Sequence, residues 1–518
     1  MVRLLEIEYP ALWIGTRHHR NTNNQPLDFS DKPYLLPIYQ DKAEEIIIVK
    51  CVQAGITEWL ICDTLSFCDR GAAVFYVLPT QPLRNTFVPN RISKLRDLVP
   101  YYGKRLREIK QGSDSSQMKH FGKGTMKLVG SNSLSEFGEF PADVVTIDEY
   151  DLCDQDNIKY ARDRNQAAKI KYYRSVGNPT IDNNGIDELF RTSDQKFWHI
   201  KCDHCEEWQP LDFFVNVVRQ KNESTWELQD STWKEDLDRD IGLYCKKCHQ
   251  PIDRLKKGEF VSAHPQLKIS GYQLSHLFVS TVQIRELWAL FNQALGDETK
   301  KQVFYNRRLG LTYVSTGAKL TQALLDICVE DYFDLSTIEQ SVMGVDVGTK
   351  LHLEIREKDR IIHIASHPNF SDLDDLMTQF NVAICVIDAM PETRKAKEFQ
   401  AKHRGKVWLC RYSTQPNLEA IKRNEDDQSI EADRTQTLDG SHAEILQKKI
   451  GLPTNYRSLD NGDFLNQMCA PTRVWDEDRQ RYKWVEPSGI PDHYRHAHNY
   501  AYIANQMLQS GKPFIRFG

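Results

Sequence analysis

Two carboxylates close an apolar run at Val144-Val145-Thr146-Ile147-Asp148-Glu149. An acid pair at the tip of a buried strand suits a nucleoside triphosphate site: Asp148 would hold the Mg²⁺ shell and Glu149 would polarise the attacking water. About ninety residues upstream, the run Ile46-Ile47-Ile48-Val49 leads into Lys50-Cys51-Val52-Gln53-Ala54-Gly55-Ile56-Thr57-Glu58 and then a helical stretch from Trp59. Strand, tight turn and helix start present backbone N–H groups and a helix dipole to phosphates, and a hydroxyl such as that of Thr57 reaches Mg²⁺. Gly55 and Thr57 fit the usual phosphate-loop pattern, but Ile56 stands where its lysine belongs, and Lys50 is the nearest cation. Taken alone the loop reads better as an ordinary strand-to-helix turn, and the acid pair downstream is what favours the nucleotide reading. A third piece, Tyr172 to Thr180, is a strand ending in the small polar run Ser175-Val176-Gly177-Asn178-Pro179-Thr180, suited to sensing a γ-phosphate.

A second set of acids lies in the last third. From Val342 the sequence reads VMGVDVG, LHLEIRE and RIIHIAS, three short strands with tight connections. A helical stretch over Asp372 to Phe380 and the buried strand Val382 to Asp388 follow. Three antiparallel strands, a helix and a parallel strand resemble the ribonuclease H-like nucleases. That resemblance puts Asp346 in the first strand, Asp388 at the tip of the fourth and Asp492 at the start of a C-terminal helix. Three such carboxylates bind two Mg²⁺ or Mn²⁺ ions, which activate water and stabilise the leaving oxygen of a phosphodiester. Asp346 as a turn cap and Asp492 as an N-cap stay open as alternatives. His352, Asp433 and His496 are further candidates near this site, and Asp439 reads as a solvated loop acid.

Of 12 cysteines, four form Cys202-Asp-His-Cys205 and Cys245-Lys-Lys-Cys248. Two such pairs in polar turns supply four thiolates for one closed, structural Zn²⁺ site, with His204 and His249 surplus and exposed. Unrelated pairs or a redox couple are the alternative.

The elements that must position these groups follow from patterning. Buried β-branched runs alternating with helical stretches predict a parallel sheet covered by helices on both faces. The length of 518 residues predicts several domains, with 40% hydrophobic and 27% charged residues as in a globular chain. No apolar run approaches the ~18 residues of a membrane span, and the start, MVRLLEIEYPALW, lacks a signal pattern, so the expected location is the cytoplasm. The net charge of -5 excludes a histone-like basic coat, not a local basic face. Arg91 to Lys110 is one basic stretch, read as a solvated helix face.

In combination these motifs resemble the large terminase subunits of tailed phages, in the branch with a Lys-[Ser/Cys]-x-Gln-x-Gly-x-Thr-Glu loop and a Cys₄ ribbon. The resemblance implies an α/β chain. Residues 1–325 would be a P-loop (RecA/ASCE-like) ATPase domain with a zinc-ribbon insertion at about 197–260. Residues 326–340 would be a linker and 341–518 a ribonuclease H-like nuclease domain. It implies that Lys50, Gln53, Gly55, Thr57 and Asp148 bind ATP with Mg²⁺, that Glu149 is catalytic, and that Ser175, Asn178 and Thr180 couple hydrolysis to DNA movement. Pro33-Tyr34-Leu35 and Gln40 would contact the base, and Gly271 to Ser275 and Phe304 to Gly310 would close the site. Asp346, Asp388 and Asp492 would be the nuclease ligands, and Cys202, Cys205, Cys245 and Cys248 would hold zinc. The implied function is ATP-driven translocation of viral double-stranded DNA into the procapsid and cutting of the concatemer. The implied setting is a homo-oligomeric ring on the portal protein, with the small terminase subunit as partner and no membrane. Arg162 or Arg164 would then act on a neighbour's γ-phosphate. The rival class, a helicase-like ATPase-nuclease of repair or restriction, needs two RecA-like lobes, and residues 1–325 leave room for one.

Overall fold

The computed structural model describes residues 10–510 apart from 18, 22, 109–116, 223–224, 229–240, 316, 333–339, 414–418, 477–478 and 488. Two compact units divide at Tyr313 and Val314. No helix among the described residues is long and apolar enough to cross a membrane.

The first unit is built on an eleven-stranded sheet. Its parallel heart contains β1 (Glu45–Val49), β2 (Ala73–Leu78), β3 (Gly124–Gly130), β4 (Val144–Ile147), β5 (Tyr172–Gly177), β6 (Lys196–Lys201) and β7 (Ser270–Gln273). In space the order is β6-β7-β1-β5-β4-β2-β3. The apolar runs predicted as buried strands are β1, β2 and β4, whose Ile, Val, Phe and Tyr side chains pack the core. Helix α1 (Ile56–Arg70) leaves the turn after β1, its first turn preceded by Gly55 in the left-handed conformation at φ 86°. The order fixes the chemistry, because β5 is inserted between β1 and β4. Parallel pairing sets Val49 beside Gly177 and Ile147 beside Ser175. The turns after these three strands therefore emerge together at the carboxyl edge of the sheet, where α/β sheets bind ligands.

The cysteine-bearing segment runs between β6 and the antiparallel strand Glu259–Ser262. Both strands belong to the main sheet, so the insertion is shorter than the expected 197–260 span. Phe213 joins it to the unit's core through rings of Phe291 and Phe304, 5.2 and 5.1 Å away.

The second unit has a seven-stranded sheet. It contains β8 (Ser341–Val347), β9 (Leu351–Glu357), β10 (Arg360–His367), helix α2 (Phe370–Gln379), β11 (Val382–Asp388), β12 (Val407–Ser413) and β13 (Ser429–Asp433). The order β10-β9-β8-β11-β12, with β10, β9 and β8 antiparallel in turn and β8, β11 and β12 parallel, is the ribonuclease H-like topology predicted from the sequence; the strand Ile421–Asn424 adds an antiparallel edge beside β13. Helix α3 (Arg434–Leu446) and the C-terminal α4 (His493–Gln509) complete it. The unit starts earlier than the expected boundary at 325/326. Leu320, Leu325 and Cys328 are buried with Ile361, Ile445 and Leu452, so the chain from Val314 packs as part of this unit. Of the expected linker 326–340, residues 333–339 lie outside the described residues.

Helix α4 lies directly on β8 because Gly344 has no side chain. A Cβ there would come 2.1 Å from the Ala501 amide nitrogen and 2.2 Å from the Ala497 carbonyl oxygen. Rigid backbone on both sides cannot yield, and overpacking of this kind costs about 1–3 kcal/mol or more. Gly344→Ala should therefore lower the calorimetric unfolding temperature of the full chain. Unchanged unfolding would show that α4 does not need this contact.

Candidate functional site: an acid-tipped sheet in each unit

The phosphate loop is held from three directions. The Lys50 amide donates to the Gly177 carbonyl at 3.0 Å, and the Asn178 side-chain amide donates to the Lys50 carbonyl at 2.7 Å. The Cys51 and Val52 amides donate to the Leu274 and Arg307 carbonyls, both at 2.9 Å. A ring nitrogen of His276 lies 2.7 Å from the Val52 carbonyl. The segments Gly271–Ser275 and Phe304–Gly310, expected to close the site, do meet the loop. Gly310, at φ 63°, fits beneath it where a Cβ would strike the Leu274 carbonyl at 2.4 Å. Gln53 adopts a left-handed φ of 57° and is exposed at the loop's crest.

Lys50 is buried, and its ammonium donates to Glu149 Oε1 at 2.7 Å. Burial opposes its charge, but Glu149 and then Asp148 more than offset this and raise its pKa. A cation thus stands at the front of the loop, beside the acids that follow β4. Asp148 accepts from the Tyr76 hydroxyl at 3.1 Å and the Glu149 amide at 3.0 Å. Burial, then the Glu149 charge, push its pKa up to about 6 against the pull of Lys50. Glu149 has φ 53°, the left-handed backbone that turns its carboxylate back toward the loop.

Asn178 binds the loop through the Lys50 carbonyl, Ser175 pairs with Ile47 on β1, and Thr180 sits one step further on. Its hydroxyl donates to Asp151 Oδ2 at 2.8 Å, while the Ile186 amide donates to Asp151 Oδ1 at 2.7 Å. Burial pushes the Asp151 pKa up to about 7. Asp151 is one of three aspartates that follow Glu149, with Asp154 and Asp156, and such an acidic run carries no sign of which member folds inward. The next one, Asp154, caps the following helix through the Asp156 and Asn157 amides. The Thr180 carbonyl accepts from the Asn306 side chain at 2.9 Å, tying this segment to the closing one.

Two expected roles do not match the geometry. Tyr34 is fully buried, its hydroxyl donating to the Ala54 carbonyl at 3.0 Å, so it braces the loop and is not free to meet a base. Leu35 lies under Gly55, while Pro33 is half-buried and Gln40 exposed. Arg162 is held within its own chain by an ion pair to Glu45 and lies 4.5 Å from the Tyr173 ring centre.

The four cysteine sulfurs converge, all within 4.8 Å of one another. Cys202 and Cys248 are 3.7 Å apart and Cys205 and Cys245 3.6 Å. Tetrahedral zinc with Zn–S near 2.3 Å requires S···S separations of about 3.8 Å, so the donor set fits that ion. The Gln209 amide, which the sequence did not flag, donates to Cys245 Sγ at 3.1 Å. Although burial opposes the thiolate, backbone amides and Gln209 hold the Cys245 pKa down at about 6. His204 and His249 are exposed, as expected.

In the second unit, β8 and β11 pair with Val345 beside Ile387, which makes Asp346 and Asp388 neighbours at adjacent strand tips. Burial, and the nearby Asp346 charge opposing the Met390 amide hydrogen bond, leave the Asp388 pKa at about 6. Asp492 makes no N-cap bond from its side chain. It lies 3.1 Å from His496 and 3.9 Å from Arg434. Burial is outweighed by the His496 and Arg434 interactions, and its pKa falls to about 2. His493, unflagged in the sequence, places Nδ1 2.9 Å from Asp346 Oδ2. Asp433 instead caps α3 through the Gln436 amide. Asp439 is not a loop acid: it lies within α3 and accepts both Arg473 nitrogens, at 2.8 and 2.9 Å, and the Trp484 indole.

Residues 28–264 match the family model described as phage terminase large subunit gpA, ATPase domain. That stretch, a little under half of the chain, is therefore similar to the ATPase domain of the phage terminase large subunits. Among solved structures, the chain is similar to a large terminase from a thermophilic bacteriophage, at 12% identity over 90% of this chain and 94% of that one, with TM-score 0.31. It is also similar to the large terminase ATPase domain of Thermus phage P74-26, at 10% identity over 55% of this chain and 94% of that one, with TM-score 0.33. The third likeness is to the large terminase nuclease of thermophilic phage G20c, at 10% identity over 35% and 96%, with TM-score 0.26. No curated protein matches the sequence.

Asp151 satisfies two donors from one half-buried carboxylate. Removing such a partner costs about 1–3 kcal/mol. In Asp151→Ala, hydrogen exchange at the Ile186 amide should speed up by roughly that free energy, some 5- to 150-fold. Exchange at the wild-type rate would show that this carboxylate does not anchor the segment after Thr180.

Proposed function

We propose that this chain is a terminase large subunit that uses ATP hydrolysis in its first unit to drive viral double-stranded DNA into the procapsid, and cuts the DNA concatemer with its second unit. The observation that carries the reading is the buried Lys50–Glu149 pair joining the loop after β1 to the acids after β4. Lys50, Gln53, Gly55 and Thr57 receive the triphosphate, and Asp148 holds its Mg²⁺. Glu149, released from Lys50 when phosphate arrives, orients the attacking water. Ser175, Asn178 and Thr180 pass the loss of the γ-phosphate to the sheet edge through Lys50 and Asp151. The domain boundary falls at Tyr313, and the protein works as a ring on the portal, fed by the small subunit.

Asp346, Asp388 and Asp492 fit a divalent-cation site. Two acids with adjacent strand positions repel each other, and burial raises the Asp388 pKa to about 6. Mg²⁺ or Mn²⁺ bound there would offset that repulsion, activate water and stabilise the leaving oxygen. The chain's own contribution is to hold three carboxylates on two strands and one helix, with His496 and Arg434 keeping Asp492 ionised.

Glu149→Gln keeps the side chain's size and leaves Asp148 in place. It should bind nucleotide but hydrolyse it at less than a tenth of the wild-type rate, a barrier increase above about 1.4 kcal/mol. Asp388→Asn should abolish plasmid cleavage and leave ATP hydrolysis near normal. Hydrolysis surviving in the first variant, or cleavage surviving in the second, contradicts the corresponding assignment.

The cysteine cluster is read as a structural zinc site, closed and without a catalytic role. Elemental analysis of protein purified without chelators should give one zinc per chain, falling in Cys205→Ser along with local order around Gln209. Zinc-free, fully folded protein would overturn it.

A further inference from the structure

The cations beside the phosphate loop and its brace His276 differ in what holds them. Lys50 is tied to Glu149. Arg254 donates to the backbone carbonyls of His276, Leu277, Val279 and Val282, each within 3.3 Å. Arg308 has no such partner. It belongs to the closing segment, whose Arg307 carbonyl accepts from the Val52 amide at 2.9 Å and whose Gly310 fits against the Lys50–Cys51 peptide. Its side chain is half-buried, and among the described residues it makes no hydrogen bond or ion pair.

Two buried neighbours register its charge. Burial pushes the Cys51 thiol up to about 12, against the pull of Lys50, a backbone amide and Arg308. Burial, then Arg308 and Arg254, hold the His276 ring below the usual histidine range, against its bond to the Val52 carbonyl. The Arg308 guanidinium therefore stands close to the first residues of the loop. A half-covered guanidinium has lost part of its hydration and here gains no acceptor. An oxyanion supplies one, and the planar fork of arginine matches the oxygens of a phosphate in pairs.

We propose that Arg308 is a nucleotide-binding residue of the first unit, its guanidinium donating to the terminal phosphate of ATP held in the loop beside it. Position selects the terminal phosphate. Glu149 must face that group to orient water, and Glu149 meets Lys50, which directly precedes the Cys51–Val52 stretch clasped by the segment of Arg308. The proposal rests on the ATPase reading of this unit and adds to it a side chain from outside the loop, the acid pair and the Ser175–Thr180 run.

The test uses the full chain with Mg²⁺. Calorimetry compares ATPγS with ADP in wild type, Arg308→Gln and Arg308→Lys, and ATP hydrolysis is followed in parallel. In Arg308→Gln, ATPγS affinity should fall about tenfold or more, as for loss of a charge-assisted bond, while ADP affinity falls less than about threefold. Hydrolysis at low ATP should fall with the ATPγS affinity, and Arg308→Lys should recover part of both. The preference for ATPγS over ADP is the deciding quantity, since an arginine with a merely structural role would move both nucleotides together. Equal weakening of the two, or ATPγS held as tightly as in wild type, would overturn the proposal and leave the ATPase reading standing. Wild-type protein that binds neither nucleotide would overturn that reading and this inference with it.

Discussion

A single buried ammonium sets the terms for the first unit. Lys50 sits at the end of β1 and reaches across β5 to the acids that end β4, the buried Asp148 and the partly exposed Glu149. A buried pair of this kind is weak evidence for stability, since desolvation offsets much of the attraction. What it does provide is a fixed distance between three strand ends. The insertion of β5, the Asn178 bond to the Lys50 carbonyl and the closing of Leu274, Arg307 and Gly310 on the loop all serve that arrangement. Under the proposed function, an arriving polyphosphate would meet a cation already held in position by Glu149.

The second unit solves the same electrostatic problem differently. Asp346 and Asp388 also stand at strand tips, but among the described residues neither is paired with a lysine. Asp388 answers with a raised pKa, and Asp492 with a histidine and an arginine. Beneath them Glu354, Arg356 and His498 form a fully buried network, with Arg356 also reaching Glu444 at 2.9 Å. That network ties β9 to α3 and α4 and so fixes the helix whose start carries Asp492 and His493. Gly344 sets how closely the helix approaches the strand.

Much of this was legible in the sequence because burial leaves a strong trace. The runs IIIV, VVTI and VAICVID are strands in the structure, and each acid that ends one lies at a strand tip. The four cysteines announced their convergence by spacing alone. Contacts made across the fold were less visible. Asp151 looked like any acid in an acidic turn until the Ile186 amide closed on it, and Asp439 until Arg473 did. Tyr34 matched a motif by position, yet packing made it a brace for Ala54. His493 gave no signal, because its meaning depends on a strand nearly 150 residues away. The boundary between units was misplaced for the same reason: Leu320 and Leu325 have partners far along the chain that no local pattern reveals.

The central claim is that Lys50 exchanges a carboxylate for a phosphate. The structure of the full chain with Mg²⁺ and a non-hydrolysable ATP analogue tests it most directly. The account predicts Lys50 Nζ within hydrogen-bonding distance of a phosphate oxygen, Asp148 on the Mg²⁺ shell and Glu149 facing the γ-phosphate through water. A nucleotide bound elsewhere, or a Lys50–Glu149 pair that stays closed while the loop is occupied, would contradict it.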